Sequence, residues 1–110
     1  MGFSKTSIVS TGTDVASDAF ISIENLELVA ATIGARTDEE SFAVIWAQLF
    51  LVLRNGSQVI NQALLAQGYI DEINSVDWQG LIPAGPLTEV MGRIYGGATV
   101  HVDFETMTKD

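Results

Sequence analysis

The residues best suited to chemistry lie near the C-terminus. His101, Asp103 and Glu105 recur at every second position, which puts all three on one face of a strand. A histidine with carboxylates can hold a metal ion. The plainer reading is the wet face of a half-buried strand, since alternating polar residues look the same. His101 is the only histidine, so a nucleophilic triad would need it as base. No serine sits in a Gly-x-Ser-x-Gly elbow. Asp71, Glu72 and Asp77, and separately Asp38, Glu39 and Glu40, offer the oxygen ligands that calcium prefers. Neither run has EF-hand spacing, and solvated acidic loops account for both. Gly92, Gly96 and Gly97 lack the lysine and hydroxyl of a phosphate loop and read as bulges and turns. Trp78, flanked by Asp77 and Gln79, could serve with Tyr69 as a stacking platform for a sugar ring or other ligand, whereas Trp46 is expected in the core. The sequence therefore assigns no catalytic, cofactor-binding or metal residue, and the chain is read as not an enzyme.

The element that would position these residues is Phe42 to Leu53, twelve residues interrupted only by Gln48, and followed by Arg54-Asn55-Gly56-Ser57. Asn-Gly between two apolar runs is a strong hairpin signal. With Asn55-Gly56 as the turn, Arg54 faces Ser57, Val52 faces Val59 and Leu51 faces Ile60. Both faces of such a hairpin are apolar, so both need cover. Ile45, Leu49, Leu51, Ile60 and Leu64 share one of them and are the candidate subunit interface. A helical alternative exists over residues 37–67. Thr37-Asp38-Glu39-Glu40 fits a capping box, and Gly56 would follow the C-terminus. The strand reading is preferred, because that helix would be apolar all round and the run is rich in β-branched and aromatic residues.

The flanking segments support strands. Residues 1–19 are rich in Ser, Thr, Gly and Asp and read as a flexible N-terminal arm, with residues 20–110 as a single β-sandwich domain. Phe20 to Ile33 reads as a strand, or as a pair of strands bulged near Asn25. Trp78 to Ile82 is a short strand, Pro83-Ala84-Gly85-Pro86 breaks the chain, and Leu87 to Tyr95 resumes it. Ala98, Val100, Val102 and Phe104 then alternate with polar residues. Six to eight short strands with turns roughly every ten residues predict an all-β fold, an antiparallel sandwich or barrel of jelly-roll-like type.

Composition narrows the function classes. With 14 acids against 5 bases, the 110-residue chain carries a formal charge of −9, which disfavours direct contact with nucleic acid. No cysteine is present, so disulfides and thiolate metal sites are excluded. No apolar run is long enough to span a membrane, and no signal peptide is visible. Charged residues make up 17% of the chain and apolar ones 47%, a balance that favours burial against other subunits.

Over residues 42–106 the order of features resembles small jelly-roll proteins of virus particles: an apolar strand ending in Arg54-Asn55-Gly56, a Trp78-Gln79-Gly80 strand, the Ile82 to Leu87 break, and Arg93 to Glu105. The resemblance implies a structural subunit of a virion (capsid, decoration or spike) that self-assembles as a homo-oligomer or with other virion subunits, located in a virion or outside cells. The alternative is a carbohydrate- or ligand-binding β-sandwich module.

Overall fold

The computed structural model describes residues 2–10, 15–36, 44–96 and 99–110. They form eight strands: β1 Gly2–Val9, β2 Ser17–Ser22, β3 Glu27–Ala35, β4 Ile45–Asn55, β5 Gln58–Ile70, β6 Val76–Pro83, β7 Thr88–Tyr95 and β8 His101–Lys109. Two four-stranded sheets result, one in the order β1-β8-β3-β6 and the other β2-β7-β4-β5. All pairings are antiparallel. The fold is thus an all-β sandwich, with no helix among the described residues.

The order has a simple origin. β4 pairs with β5, β3 with β6, β2 with β7 and β1 with β8. The chain is one long hairpin, closed at the β4–β5 turn and folded over so that successive pairs fall in alternate sheets. Ile21, Leu28, Ile33, Ile45, Leu49, Val90, Ile94, Val102 and Phe104 fill the space between the sheets. On a given strand they recur at even spacing, as a face-to-face sandwich demands, except on β3, where a bulge between Leu28 and Ala30 lets Leu28 and Ile33, an odd distance apart, share the inner face.

The helical alternative for residues 37–67 is overturned over β4 and β5, both strands; Thr37 to Glu40 lies outside the described residues. The hairpin register also differs from expectation. Asn55 faces Gln58 and Arg54 faces Val59, so the turn is Gly56-Ser57. Gly56 has φ +64 while Asn55 and Ser57 keep negative φ. A two-residue loop with glycine first is the II′ type, and it meets the strand twist without asking Asn55 for a left-handed conformation. Two bulges follow, leaving Ile60 and Leu65 as extra residues on β5, so that Val52 faces Gln62 and Trp46 faces Tyr69.

The N-terminal arm expected over residues 1–19 is corrected over strands β1 and β2, while residues 1 and 11–14 lie outside the described residues. Gly2–Val9 is an edge strand paired along its length with β8, and Ile8 is buried in the core. Ser17 to Ala19 belongs to β2. Few apolar residues suffice there, because an edge strand needs only one well-placed side chain inward while its partner supplies the backbone hydrogen bonds. The Phe20 to Ile33 segment splits into strands of different sheets. Asn25 (φ 62) turns the chain between them and donates its N–H to the Gly85 carbonyl, while Ala84 N–H donates to Leu26 O at 2.8 Å. The Pro83 to Pro86 break therefore backs the corner where the chain changes sheets.

Gly92, expected as a bulge, is paired in register with both Ala19 and Leu49. Its role is space. A Cβ there would lie 2.9 Å from Ile8 Cδ1 and 3.0 Å from the Phe104 ring. Two large side chains of the opposite sheet fill the place a side chain would need.

Candidate functional site

The sequence-predicted chemistry disperses. On β8, Asp103 and Glu105 do face outward together, but Lys5 from β1 lies between them, 3.3 Å from Asp103 Oδ2 and 3.8 Å from Glu105 Oε1. His101 faces Val9 at the far end of that pairing. Asp71 accepts hydrogen bonds from the backbone N–H groups of Ile73 and Asn74 and from the Asn74 amide, all within 3.0 Å. Ile73 N–H foremost, then the Asn74 side chain and N–H, hold the Asp71 carboxyl below its ordinary value. Asp77 accepts from the hydroxyls of Thr32 and Ser75. These carboxylates organise their own loop and sheet, and among the described residues no group of three or more His, Asp or Glu could hold a metal ion. Asp38, Glu39, Glu40 and Gly97 lie outside the described residues.

Trp78 and Tyr69 are not brought together. Trp78 is on β6 of the first sheet, its indole lying over Gly80 and half-buried against the core. Tyr69 is on β5 of the second sheet, 69% exposed. Of the candidate interface residues, Ile45 and Leu49 are buried in the chain's own core and Leu51 packs against it. Ile60 and Leu64 remain exposed, at 57% and 46%.

What the structure assembles instead is an ordered outer face on the β2-β7-β4-β5 sheet. Because Ile45, Ala47 and Leu49 point into the core, Trp46, Gln48, Phe50, Val52 and Arg54 point away from it. Cross-strand register turns this alternation into rows. Phe20, Met91, Phe50 and Leu64 stand side by side across all four strands. Phe50, Val52 and Met91 are buried there, with Phe20 and Val59 packed against them. Two guanidinium groups complete the cover. Arg54 lies 3.9 Å from the Phe20 ring centre and Arg93 5.8 Å from that of Phe50. Each is held by a carboxylate through two bonds: Arg54 by Glu89 at 2.9 and 3.1 Å, Arg93 by Asp18 at 2.7 and 3.0 Å.

Beside that row runs a polar one, Asp18, Arg93, Gln48 and Gln67, in which Gln48 donates to Gln67 at 3.0 Å. Beyond it lies an aromatic row of Tyr95, Trp46 and Tyr69. Trp46 and Tyr69 meet edge to face with centroids 4.8 Å apart. Trp46, expected in the core, is thus half-buried on the outside. Its alternation with Ile45 and Ala47 was legible, but which face the opposing sheet would cover was not.

The first sheet's outer face is plainer. Phe3 (62% exposed) stands opposite Met107 and, with Ala30, Gln79 and Glu105, borders a shallow depression of about 270 Å³. No helix among the described residues is long and apolar enough to cross a membrane. No protein-family model matches the chain, and neither a curated protein nor a solved structure matches it.

Proposed function

We propose that the chain is a structural subunit that self-assembles, read best as a small virion protein (capsid, decoration or spike) built on a jelly roll and forming homo-oligomers. The observation that carries this reading is a complete internal core accompanied by large apolar side chains left outside it. Phe3 and Met107 adjoin on one sheet, and Ile60 and Leu64 lie along the edge of the other. Apolar neighbours of this kind, on a chain with only 17% charged residues, are what subunit contacts bury. The strand order, β1-β8-β3-β6 over β2-β7-β4-β5, is in keeping with two interleaved Greek keys. The test is the solution mass by light scattering, with the same sample imaged by electron microscopy. Dimers, or larger closed rings and shells, are expected. A clean monomer of 11.8 kDa at millimolar concentration would overturn the proposal.

A second reading, a carbohydrate-binding module, is favoured by the aromatic row. Trp46 and Tyr69 form a corner of two rings, and Gln48, Gln67 and Arg93 beside them offer the planar polar groups that sugar hydroxyls bind. Trp46→Ala should abolish glycan-array signal while leaving the fold intact. An array on which the unaltered protein gives no signal removes this reading.

A further inference from the structure

Four strands lie at sheet edges: β1 and β6 in one sheet, β2 and β5 in the other. An edge strand presents unpaired backbone N–H and C=O groups to any strand that approaches, and proteins guard such edges with charges, prolines, bulges or shortness. Three of these edges are guarded. β1 carries Lys5 at its middle, β2 has six residues and carries Asp18, and β6 carries Asp77 and ends on Pro83. β5 differs. At 13 residues it is the longest strand among the described residues, it contains neither a charged residue nor a proline, and its only guards are the bulges at Ile60 and Leu65. It lies within Asn55 to Ile70, the longest charge-free run of the chain.

We propose that β5 is a subunit contact whose occupant is a second copy of this chain, its β5 paired antiparallel across a two-fold axis. This rests on the self-assembly reading above and names its interface. Charge favours this site over the others. At −9 per chain, two copies repel on nearly every approach. The β5 edge is where they meet without opposing like charges on the contacting strands. The pairing joins two four-stranded sheets into one of eight strands, and brings Ile60 and Leu64 of each copy beside the other. An isologous contact uses the same edge of both copies and so closes at two. The outer edges of the joined sheet are then the short, Asp18-bearing β2 strands. The bulges at Ile60 and Leu65 add local twist, which opposes the flat stacking of a fibril. Larger assemblies would use other surfaces of this dimer.

The experiment is light scattering of the full chain, unaltered and as three variants: Leu64→Lys and Gln67→Lys on β5, and Leu81→Lys on the β6 edge. Circular dichroism melts establish that each variant folds. The β5 lysines should raise the dimer dissociation constant at least about tenfold, because each is introduced twice across the axis, and Leu81→Lys should leave it unchanged. An oligomer that resists both β5 substitutions overturns the assignment of β5 and leaves self-assembly standing. A monomeric unaltered protein overturns both. Should the β5 variants fail to fold, amide exchange on the unaltered protein decides. Alternate β5 amides should be slow at high concentration and quicken on dilution, and β5 amides that exchange fast at every concentration overturn the proposal.

Discussion

Arg93 and Asp18, 75 residues apart, form a two-bond ion pair on the outer face of the second sheet, with Nε to Oδ1 at 2.7 Å and Nη2 to Oδ2 at 3.0 Å. The pair ties edge strand β2 to β7 and holds the guanidinium near the Phe50 ring. Hydrogen bonding to Asp18 raises the Arg93 pKa still further above its high ordinary value. A raised basic group contributes its stabilisation fully below the ordinary value, so Arg93 acts undiminished from neutral pH through mild alkali. Arg93→Ala should lower stability by about 1 kcal/mol in urea denaturation. Arg93→Lys should recover less than half of that, since an ammonium cannot span both oxygens.

Met91, between Phe20 and Phe50, is fully buried although it lies outside the inter-sheet core. Met91→Ala should cost about 2–4 kcal/mol, as a core truncation does. A loss below about 1 kcal/mol would mean that the outer cluster is loosely packed.

Gly92→Ala tests the close approach of the sheets. The added methyl meets Ile8 and Phe104 at about 3 Å. Stability should fall by about 1–3 kcal/mol, and the double variant with Ile8→Val should regain part of it.

The hairpin turn makes a paired prediction. Gly56→Ala places a side chain at φ +64 and should destabilise by about 1 kcal/mol. Asn55→Ala should stay within about 0.5 kcal/mol. Were the turn Asn55-Gly56 instead, both substitutions would be costly, so thermal melts of the two variants report the register.

Asp71 supplies a pH dependence. Its carboxyl is depressed below the ordinary 3.8 by the N–H of Ile73 and by Asn74. A depressed acid contributes above its ordinary value and loses that contribution as pH falls through the depressed one. Carbon-detected NMR should show Asp71 titrating below pH 3.8, with the Ile73 and Asn74 amide resonances moving in step. Because Asp71 is exposed to solvent, the change should stay local to residues 71–74.

Much of the architecture was legible in the chain. The alternation of Val100, Val102 and Phe104 with polar neighbours marked β8, and those three residues are buried. The apolar run before Arg54-Asn55-Gly56 marked β4, although the register was misplaced by its choice of turn. Glycine and asparagine adjoin there, and only backbone torsions distinguish Asn55-Gly56 from Gly56-Ser57. The N-terminal strand escaped notice because its order comes from β8, almost a hundred residues away, and hardly at all from its own composition.

By itself the sequence determined the class: short strands of period two, no cysteine, an acidic surface, and an uncharged stretch from Asn55 to Ile70. Only the tertiary structure decided which stretches lie at sheet edges and which faces are covered. Alternation says that Ile45 and Trp46 point opposite ways. It takes the opposing sheet to bury Ile45 and leave Trp46 outside with Tyr69 and Tyr95. Strand order is likewise set by pairings between residues far apart in the chain, and no local pattern encodes them. That order makes the charge-free strand an edge, with its backbone open to a partner.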